Sequence, residues 1–171
     1  MMTEQDAVEF LKTVEQLGVE VWLDGGWGVD ALAGRQTRQH NDIDVFIEKR
    51  NATIFTEMLI SKGYQEIQME YTTESHTVWR DSRDKIIDLH LFEFGEAGTL
   101  YFENNPYPSD IFNGKGTIRN IAVRCLTAEA QLQFHHGYEI TDKDVCDVLV
   151  LCETFGLSIP SEYALNINHE A

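Results

Sequence analysis

Gly25-Gly26-Trp27-Gly28-Val29-Asp30 and, shortly after it, His40-Asn41-Asp42-Ile43-Asp44-Val45-Phe46-Ile47 are the two stretches whose reading decides the fold. Asp42 and Asp44 stand two apart in a strand-like run, so their side chains project from the same face. Carboxylates held that close repel one another unless something positive sits between them. Hard divalent cations such as Mg²⁺ take oxygen ligands and usually arrive with the phosphates of a substrate. The glycines upstream let backbone N–H groups approach such phosphates with no Cβ in the way. An Asp-x-Asp alone carries little weight in a chain with 29 acidic residues, and a glycine pair alone marks a turn. The order of the parts carries more. A strand, Val19-Glu20-Val21-Trp22-Leu23, runs into Asp24-Gly25-Gly26; a helix-like stretch covers Trp27 to Ala33; a basic loop leads to the aspartate strand.

Working outward, Val8, Leu11, Val14 and Leu17 recur at helical spacing. Thr3 with Asp6 supplies a capping start and Gly18 a stop. Beyond the aspartate strand, Asn51 is positioned to cap a helix through Ile54, Phe55, Met58 and Leu59 that ends near Gly63. The pattern then turns strand-like. Thr77–Arg80 and Lys85–Phe92 flank Asp81-Ser82-Arg83-Asp84 as a hairpin. Thr99–Phe102 and Asn120–Arg124 read as further strands, joined by a loop carrying Pro106, Pro108, Gly114 and Gly116. Thr127 and Thr141 each begin a helix in capping-box fashion, and Gly156 ends the second. The expected fold class is therefore α/β (α+β), a mixed sheet with a short C-terminal pair of helices. The expected division is a body over residues 1–126, a helical extension packed on it over 127–160, and a flexible tail over 161–171.

Composition narrows the function. A chain of 171 residues reads as one domain and can bury a core without staples. Cys125, Cys146 and Cys152 form no close pair motif, which favours ordinary buried thiols in a reducing compartment. The first residues show neither a basic run nor an apolar one, and no stretch approaches 18 apolar residues. A cytoplasmic chain with no membrane partner is expected. Thirteen Lys and Arg face 29 Asp and Glu, a net charge of −16. That balance speaks against a nucleic-acid partner, which would call for a basic face. It would attract a cationic small molecule and serves solubility equally well.

Asp88 is the third informative carboxylate, inside the apolar run Ile86-Ile87-Asp88-Leu89-His90-Leu91. An ionised group in that setting needs a partner or a cation. It reads either as an edge residue paired with Arg80 or Arg83 across the hairpin, or as the third member of a carboxylate set with Asp42 and Asp44. In the second case it could also take a proton from an attacking hydroxyl. His90, two residues on, shares its face and is either a lining residue of an acceptor pocket or a satisfied structural histidine. Arg35, Arg38 and His40 lie between glycines and aspartates, where forked donors could meet phosphate, or form a solvated loop.

The block Gly25–Asp30, then Gly34-Arg35-Gln36-Thr37-Arg38-Gln39-His40-Asn41-Asp42-Ile43-Asp44, resembles the lincosamide nucleotidyltransferases of the polymerase-β-type superfamily. The likeness continues through Ile87-Asp88-Leu89-His90, and through Glu129-Ala130-Gln131-Leu132-Gln133-Phe134-His135-His136-Gly137-Tyr138 to Asp144 and Asp147-Val148. The front block is similar to the aminoglycoside 2″-adenylyltransferases as well. The resemblance implies a mixed-sheet nucleotidyltransferase fold and transfer of AMP or another NMP from a nucleoside triphosphate, normally ATP, to an antibiotic hydroxyl. Pyrophosphate leaves. It implies Mg²⁺ held by Asp42, Asp44 and Asp88, with Asp88 as ligand, base or both. Gly25 and Gly26 would hold the triphosphate through their amides. By their place in the chain, Arg35, Arg38 and His40 are the expected phosphate contacts and Trp27 and His90 the expected residues at the antibiotic. A small-molecule antibiotic is the expected partner. So short a helical appendage leaves room for a homodimer whose second copy completes the pocket. The alternatives are an aminoglycoside adenylyltransferase and a relative of the same fold acting on a protein partner.

Overall fold

The computed structural model describes residues 1–167. Helix α1 (Glu4–Gln16) starts in a capping box in which Thr3 and Asp6 satisfy each other's backbone N–H. Strand β1 (Trp22–Asp24) runs straight into helix α2 (Gly25–Ala33). Strand β2 (Asp42–Glu48), helix α3 (Ala52–Ser61), β3 (Gln65–Ile67), β4 (His76–Arg80) and β5 (Ile86–Phe94) follow. The β4–β5 hairpin is turned by Asp81, whose carboxylate accepts from the N–H groups of Arg83 and Lys85 at 2.8 and 2.9 Å. Asn51 precedes α3, but its side chain makes no capping hydrogen bond.

Strands β3-β4-β5-β2-β1-β9-β8 lie side by side in that order, with β8 (Gly114–Ile118) and β9 (Ile121–Cys125) at one end. The sheet is mixed: β2 pairs parallel with β5 and β1 with β9, while β1–β2, β4–β5 and β8–β9 are antiparallel. Strands β6 (Thr99–Phe102) and β7 (Asn105–Pro108) extend β5 as a separate antiparallel flap. The segment expected as one Pro- and Gly-bearing loop thus contributes β7 and β8. Both prolines belong to β7, which pairs on one side only. Gly116 lies on α2 so closely that a Cβ would stand 2.2 Å from the Ala31 carbonyl oxygen, so glycine there is a packing requirement.

The alternation along β2 sorts its residues onto two faces. Ile43, Val45 and Ile47 join Leu23, Ile87, Leu89 and the apolar sides of α1 and α3 in the larger core. The opposite face carries Trp22, Phe46 and Phe92, packed with Phe102, Phe112 and Leu126. The carboxylates lie on this second face, beyond the aromatic cluster.

Helices α4 (Ala128–Phe134) and α5 (Asp142–Phe155) close the C-terminal side, α4 starting on Thr127 and α5 in a Thr141–Asp144 capping box. The tail expected to be flexible over 161–171 is instead helix α6 over Ser161–Ile167. Its Tyr163 is fully buried and donates its hydroxyl to the His135 carbonyl at 2.5 Å. Residues 168–171 lie outside the described residues. No helix among the described residues is long and apolar enough to cross a membrane.

Candidate active site

Strand register builds the site. Asp24 on β1 is the pairing partner of Asp44 on β2, and Asp44 is the partner of Asp88 on β5. Three carboxylates therefore form one row across three neighbouring strands, and Asp42 projects from the same face two residues before Asp44. The adjacent row is Trp22, Phe46 and His90, in the same register. Its rings form one wall of the site, with His90 stacked on Phe46 at 4.7 Å.

Crowding dominates the electrostatics. Burial pushes the Asp44 carboxyl well above the ordinary carboxylate range, and Asp42, Asp88 and Asp24 push it further, with only Arg38 working against them. Asp24 is pushed up to about 6, chiefly by burial, and its Oδ1 is buried without a hydrogen-bond partner among the described residues. Oxygen-only donors, several negative charges and an orphaned buried oxygen are what a hard divalent cation would satisfy. The residues present therefore fit Mg²⁺.

Helix α2 begins against this row. Gly25 has φ of +55°, and a Cβ on it would stand 2.4 Å from Asp44 Oδ2. Only glycine lets the helix start there, directly beside the carboxylate row. A Cβ on Gly26 would meet His40 Nδ1 at 2.3 Å and Arg38 Nη2 at 2.5 Å. The missing side chain at that position is thus filled by two neighbouring residues.

Those neighbours correct the reading of the basic loop. Arg38 makes a bidentate pair with Asp147 of α5, Nε to Oδ1 at 2.7 Å and Nη2 to Oδ2 at 2.5 Å, and its Nη1 lies 3.0 Å from His40 Nδ1. His40 is 1% exposed, and its Nε2 is 2.5 Å from Asp30 Oδ2. Asp30 also accepts from the backbone and hydroxyl of Thr37. Both side chains expected at phosphate are engaged inside the protein and brace the loop between α2 and β2. Arg38 still tempers the charge on Asp44. Arg35 alone of the three is exposed and makes no ion pair or side-chain hydrogen bond among the described residues. Trp27, expected to meet substrate, is 1% exposed and belongs to the larger core, with its ring against His40. An apolar residue on the first turn of a helix packed over a sheet faces inward.

Asp88 pairs with neither Arg80 nor Arg83. Arg80 lies 3.9 Å from Asp84, and Arg83 is 3.0 Å from Asp81. Asp88 Oδ1 is instead 2.7 Å from His76 Nε2 and 3.7 Å from His90 Nε2. Burial pushes the His90 imidazole down to about 4, against the pull of Asp88, so the ring is neutral.

Two features of the candidate site were not anticipated. Asp24 joins the carboxylate row; its place directly before the glycine pair is the signal that points to it. The second is the anchoring chain Arg38–Asp147–His135, in which His135 Nε2 lies 3.5 Å from Asp147 Oδ2. Burial works against the charge on His135, but Asp147 and the Gln131 carbonyl outweigh it and raise its pKa. Burial likewise opposes the Asp147 carboxylate, and His135 and Arg38 together lower its pKa. On the open side, Tyr71 lies with its ring 4.9 Å from that of His76. The segments 64–77 and 95–116 meet where Thr73 donates to Glu103 at 2.5 Å. Two surface cavities, one of about 230 Å³ beside Met2, Phe10 and Lys85 and one of about 610 Å³ beside Leu11, Val21 and Val123, include none of the row's aspartates.

Comparison with known proteins identifies the family. A lincosamide resistance protein of Staphylococcus haemolyticus is 30% identical over 158 residues, covering 86% of this chain and 92% of that protein. A 2″-aminoglycoside nucleotidyltransferase of Escherichia coli is 27% identical over 141 residues, covering 80% and 75%. The crystal structure of the lincosamide antibiotic adenylyltransferase LnuA with lincomycin bound superposes with a TM-score of 0.77 at 30% identity, covering 88% of this chain and 96% of that one. The model of the aminoglycoside-2″-adenylyltransferase family matches residues 7–151. The chain belongs to that family of nucleotidyltransferases, together with the lincosamide nucleotidyltransferases that its sequence resembles.

Proposed function

We propose that the protein transfers AMP from ATP to a hydroxyl of a lincosamide and releases pyrophosphate. The observation that carries the chemistry is the row Asp24–Asp44–Asp88 with Asp42 beside it, under the glycine start of α2. The substrate class rests on the likeness to a lincosamide resistance protein along nearly its whole length.

Asp42, Asp44 and Asp88 would hold Mg²⁺, with Asp24 behind Asp44. The bound cation would neutralise triphosphate charge, the main requirement of phosphoryl-group chemistry. The amides of Gly25 and Gly26 would orient the triphosphate, and Arg35, exposed beyond the C-terminal end of α2, is the cation left free to reach it. The acceptor hydroxyl attacks the α-phosphorus, the bond to pyrophosphate breaks, and Asp88 accepts the hydroxyl proton. His76 holds Oδ1 of Asp88 at 2.7 Å, and no described residue hydrogen-bonds its Oδ2, which leaves that oxygen for the hydroxyl. Tyr71 and His90 flank the acceptor side.

The helical extension over 127–160 serves as a brace on the body, through Asp147 to Arg38. We further propose that the enzyme works in the cytoplasm as a homodimer, with a small antibiotic rather than a polynucleotide as its partner.

A second reading, adenylylation of an aminoglycoside, is favoured by the family model and by the net charge of −16, which suits a polycation. Incubation with ATP, Mg²⁺ and lincomycin, clindamycin or tobramycin, read by pyrophosphate release and product mass, separates the two. Adenylylated lincosamide is the expected result. Modified tobramycin with untouched lincosamides moves the substrate class and keeps the chemistry. No pyrophosphate with any acceptor overturns the reading.

A further inference from the structure

We propose that His76, Asp88 and His90 form a binding site for a transition cation of the Zn²⁺ type, and that its occupation takes Asp88 out of nucleotidyl transfer. The second half rests on the function proposed above; the first does not.

Register assembles the three residues. His76 on β4 is the pairing partner of His90 on β5, and Asp88 shares a face with His90 two residues before it. One ligand atom from each lies within 4.8 Å of the other two. Asp88 Oδ1 is 2.7 Å from His76 Nε2 and 3.7 Å from His90 Nε2. Donors around a four-coordinate zinc at bond lengths of about 2.0–2.2 Å stand roughly 3.3 Å apart. The cluster already spans that spacing, so small side-chain rotations bring the three into a coordination sphere.

His90 supplies an independent indication. Its Nδ1 is buried with no hydrogen-bond partner among the described residues, and Nε2 at 3.7 Å from Asp88 is beyond hydrogen-bond length. Nε2, the nitrogen on the Asp88 side, makes no hydrogen bond among the described residues and is left available to a cation. Phe46, stacked at 4.7 Å, holds the ring in place. The side chains of His76, Asp88 and His90 are 20%, 15% and 12% exposed, enough for an ion and a water to enter.

Donor chemistry separates this site from the neighbouring one. Two imidazoles and one carboxylate suit Zn²⁺, Co²⁺, Ni²⁺ or Cu²⁺, whereas the oxygen-only set of Asp42 and Asp44 suits Mg²⁺. The sites share Asp88, so a cation on the histidine side withdraws the oxygen that would otherwise take the acceptor proton.

The test is titration of Co²⁺ into the metal-free chain without nucleotide, read by the visible absorption of four-coordinate Co²⁺, with Zn²⁺ as competitor. One Co²⁺ per chain, displaced by Zn²⁺, is expected. The band should be lost in His76→Ala and retained in Asp42→Asn. If His76→Ala melts early, His76→Gln replaces it, since its amide does not substitute for an imidazole donor. No band in the parent, or a band lost in Asp42→Asn and kept in His76→Ala, overturns the site. In the activity arm, Zn²⁺ added at saturating Mg²⁺ and ATP should inhibit the parent and spare His76→Ala, each against its own zinc-free rate. Equal inhibition of both overturns the blocking role. No transfer by the parent without Zn²⁺ sinks the proposed function while the Co²⁺ titration still decides the site.

Discussion

Asp24 stands directly opposite Asp44 across the antiparallel β1–β2 pair, so the strand that enters α2 delivers a carboxyl into a site that already holds three. Burial, with Asp88 adding to it, raises the Asp24 carboxyl from 3.8 to about 6. A carboxyl raised by folding keeps its proton in the folded chain after the unfolded chain has lost it. Stability from this group therefore falls as pH rises from about 4 to about 6. In metal-free protein Asp24→Asn should remove that loss, a gain over the parent approaching about 3 kcal/mol at pH 7 and vanishing near pH 4. Denaturant melts of both proteins with chelator at the two pH values decide it. The same parent-to-variant difference at both would show that Asp24 is not strained by ionisation.

Asp44 is the most crowded carboxyl of the set. Asp44→Asn should abolish most turnover, lowering kcat by orders of magnitude, and Asp42→Asn should do the same, because Asn keeps the shape and loses the charge that holds a cation. Without metal, Asp44→Asn should melt no lower than the parent, since one repelling charge is gone. Mg²⁺ with a non-hydrolysable ATP analogue at about a hundred times Kd should stabilise the parent by roughly 2.7 kcal/mol. Calorimetric scans that give Asp44→Asn an equal ligand-induced shift would remove it from the metal set.

Gly25 is held at φ +55° under Asp44 Oδ2. Gly25→Ala adds the left-handed penalty of roughly 1–2 kcal/mol and drives a methyl into the carboxylate. We expect a lowered Tm together with loss of nucleotide affinity. Gly63, also at positive φ but with open space around it, is the control: Gly63→Ala should cost stability and leave nucleotide binding intact. Equal nucleotide binding by Gly25→Ala and the parent, measured by calorimetry, would show that the start of α2 does not cradle phosphate.

The carboxylate pattern was legible because period-two spacing fixes a shared face without knowledge of the partner strand. That spacing joins Asp42 to Asp44; Asp88 stands on another strand, and its place beside them depends on the β2–β5 register, so the residues alone left it open between an ion pair and the carboxylate set until the resemblance was considered. Asp24 was not legible, since its role depends on the β1–β2 register, which no local pattern encodes. Arg38 and His40 were misplaced for a related reason. A basic loop beside a glycine turn suggests phosphate, but the partner of Arg38 is 109 residues away, and its acid lies in a helix whose spacing is ordinary. Strands β7 and β8 hid behind prolines and glycines that are there for an edge and a close helix contact. Helix α6 hid because one buried side chain, Tyr163, holds a segment whose composition looks like a tail.

Arg38, Asp147 and His135 form a mostly buried cluster in which Asp147 has two cationic partners and Arg38 has one acid in direct contact, with Asp30 and Asp42 farther off. That asymmetry predicts unequal variants. Asp147, whose side chain is 1% exposed, cannot be replaced by Asn without taking from Arg38 the one carboxylate in direct contact with it. Asp147→Asn should therefore cost about 3–5 kcal/mol. Arg38→Met leaves Asp147 with His135 at 3.5 Å and should cost less at low pH. The cost should then grow with pH. His135 has a raised pKa in the fold, so its support is full below the unfolded histidine value of about 6.5 and is lost as pH rises through the raised folded value. Above that point Arg38→Met buries an uncompensated carboxylate. Urea melts of the parent, Asp147→Asn and Arg38→Met from pH 5.5 to 8.5 should show the Arg38→Met deficit widening across the range. A deficit that stays flat would show that His135 does not carry the charge that holds Asp147.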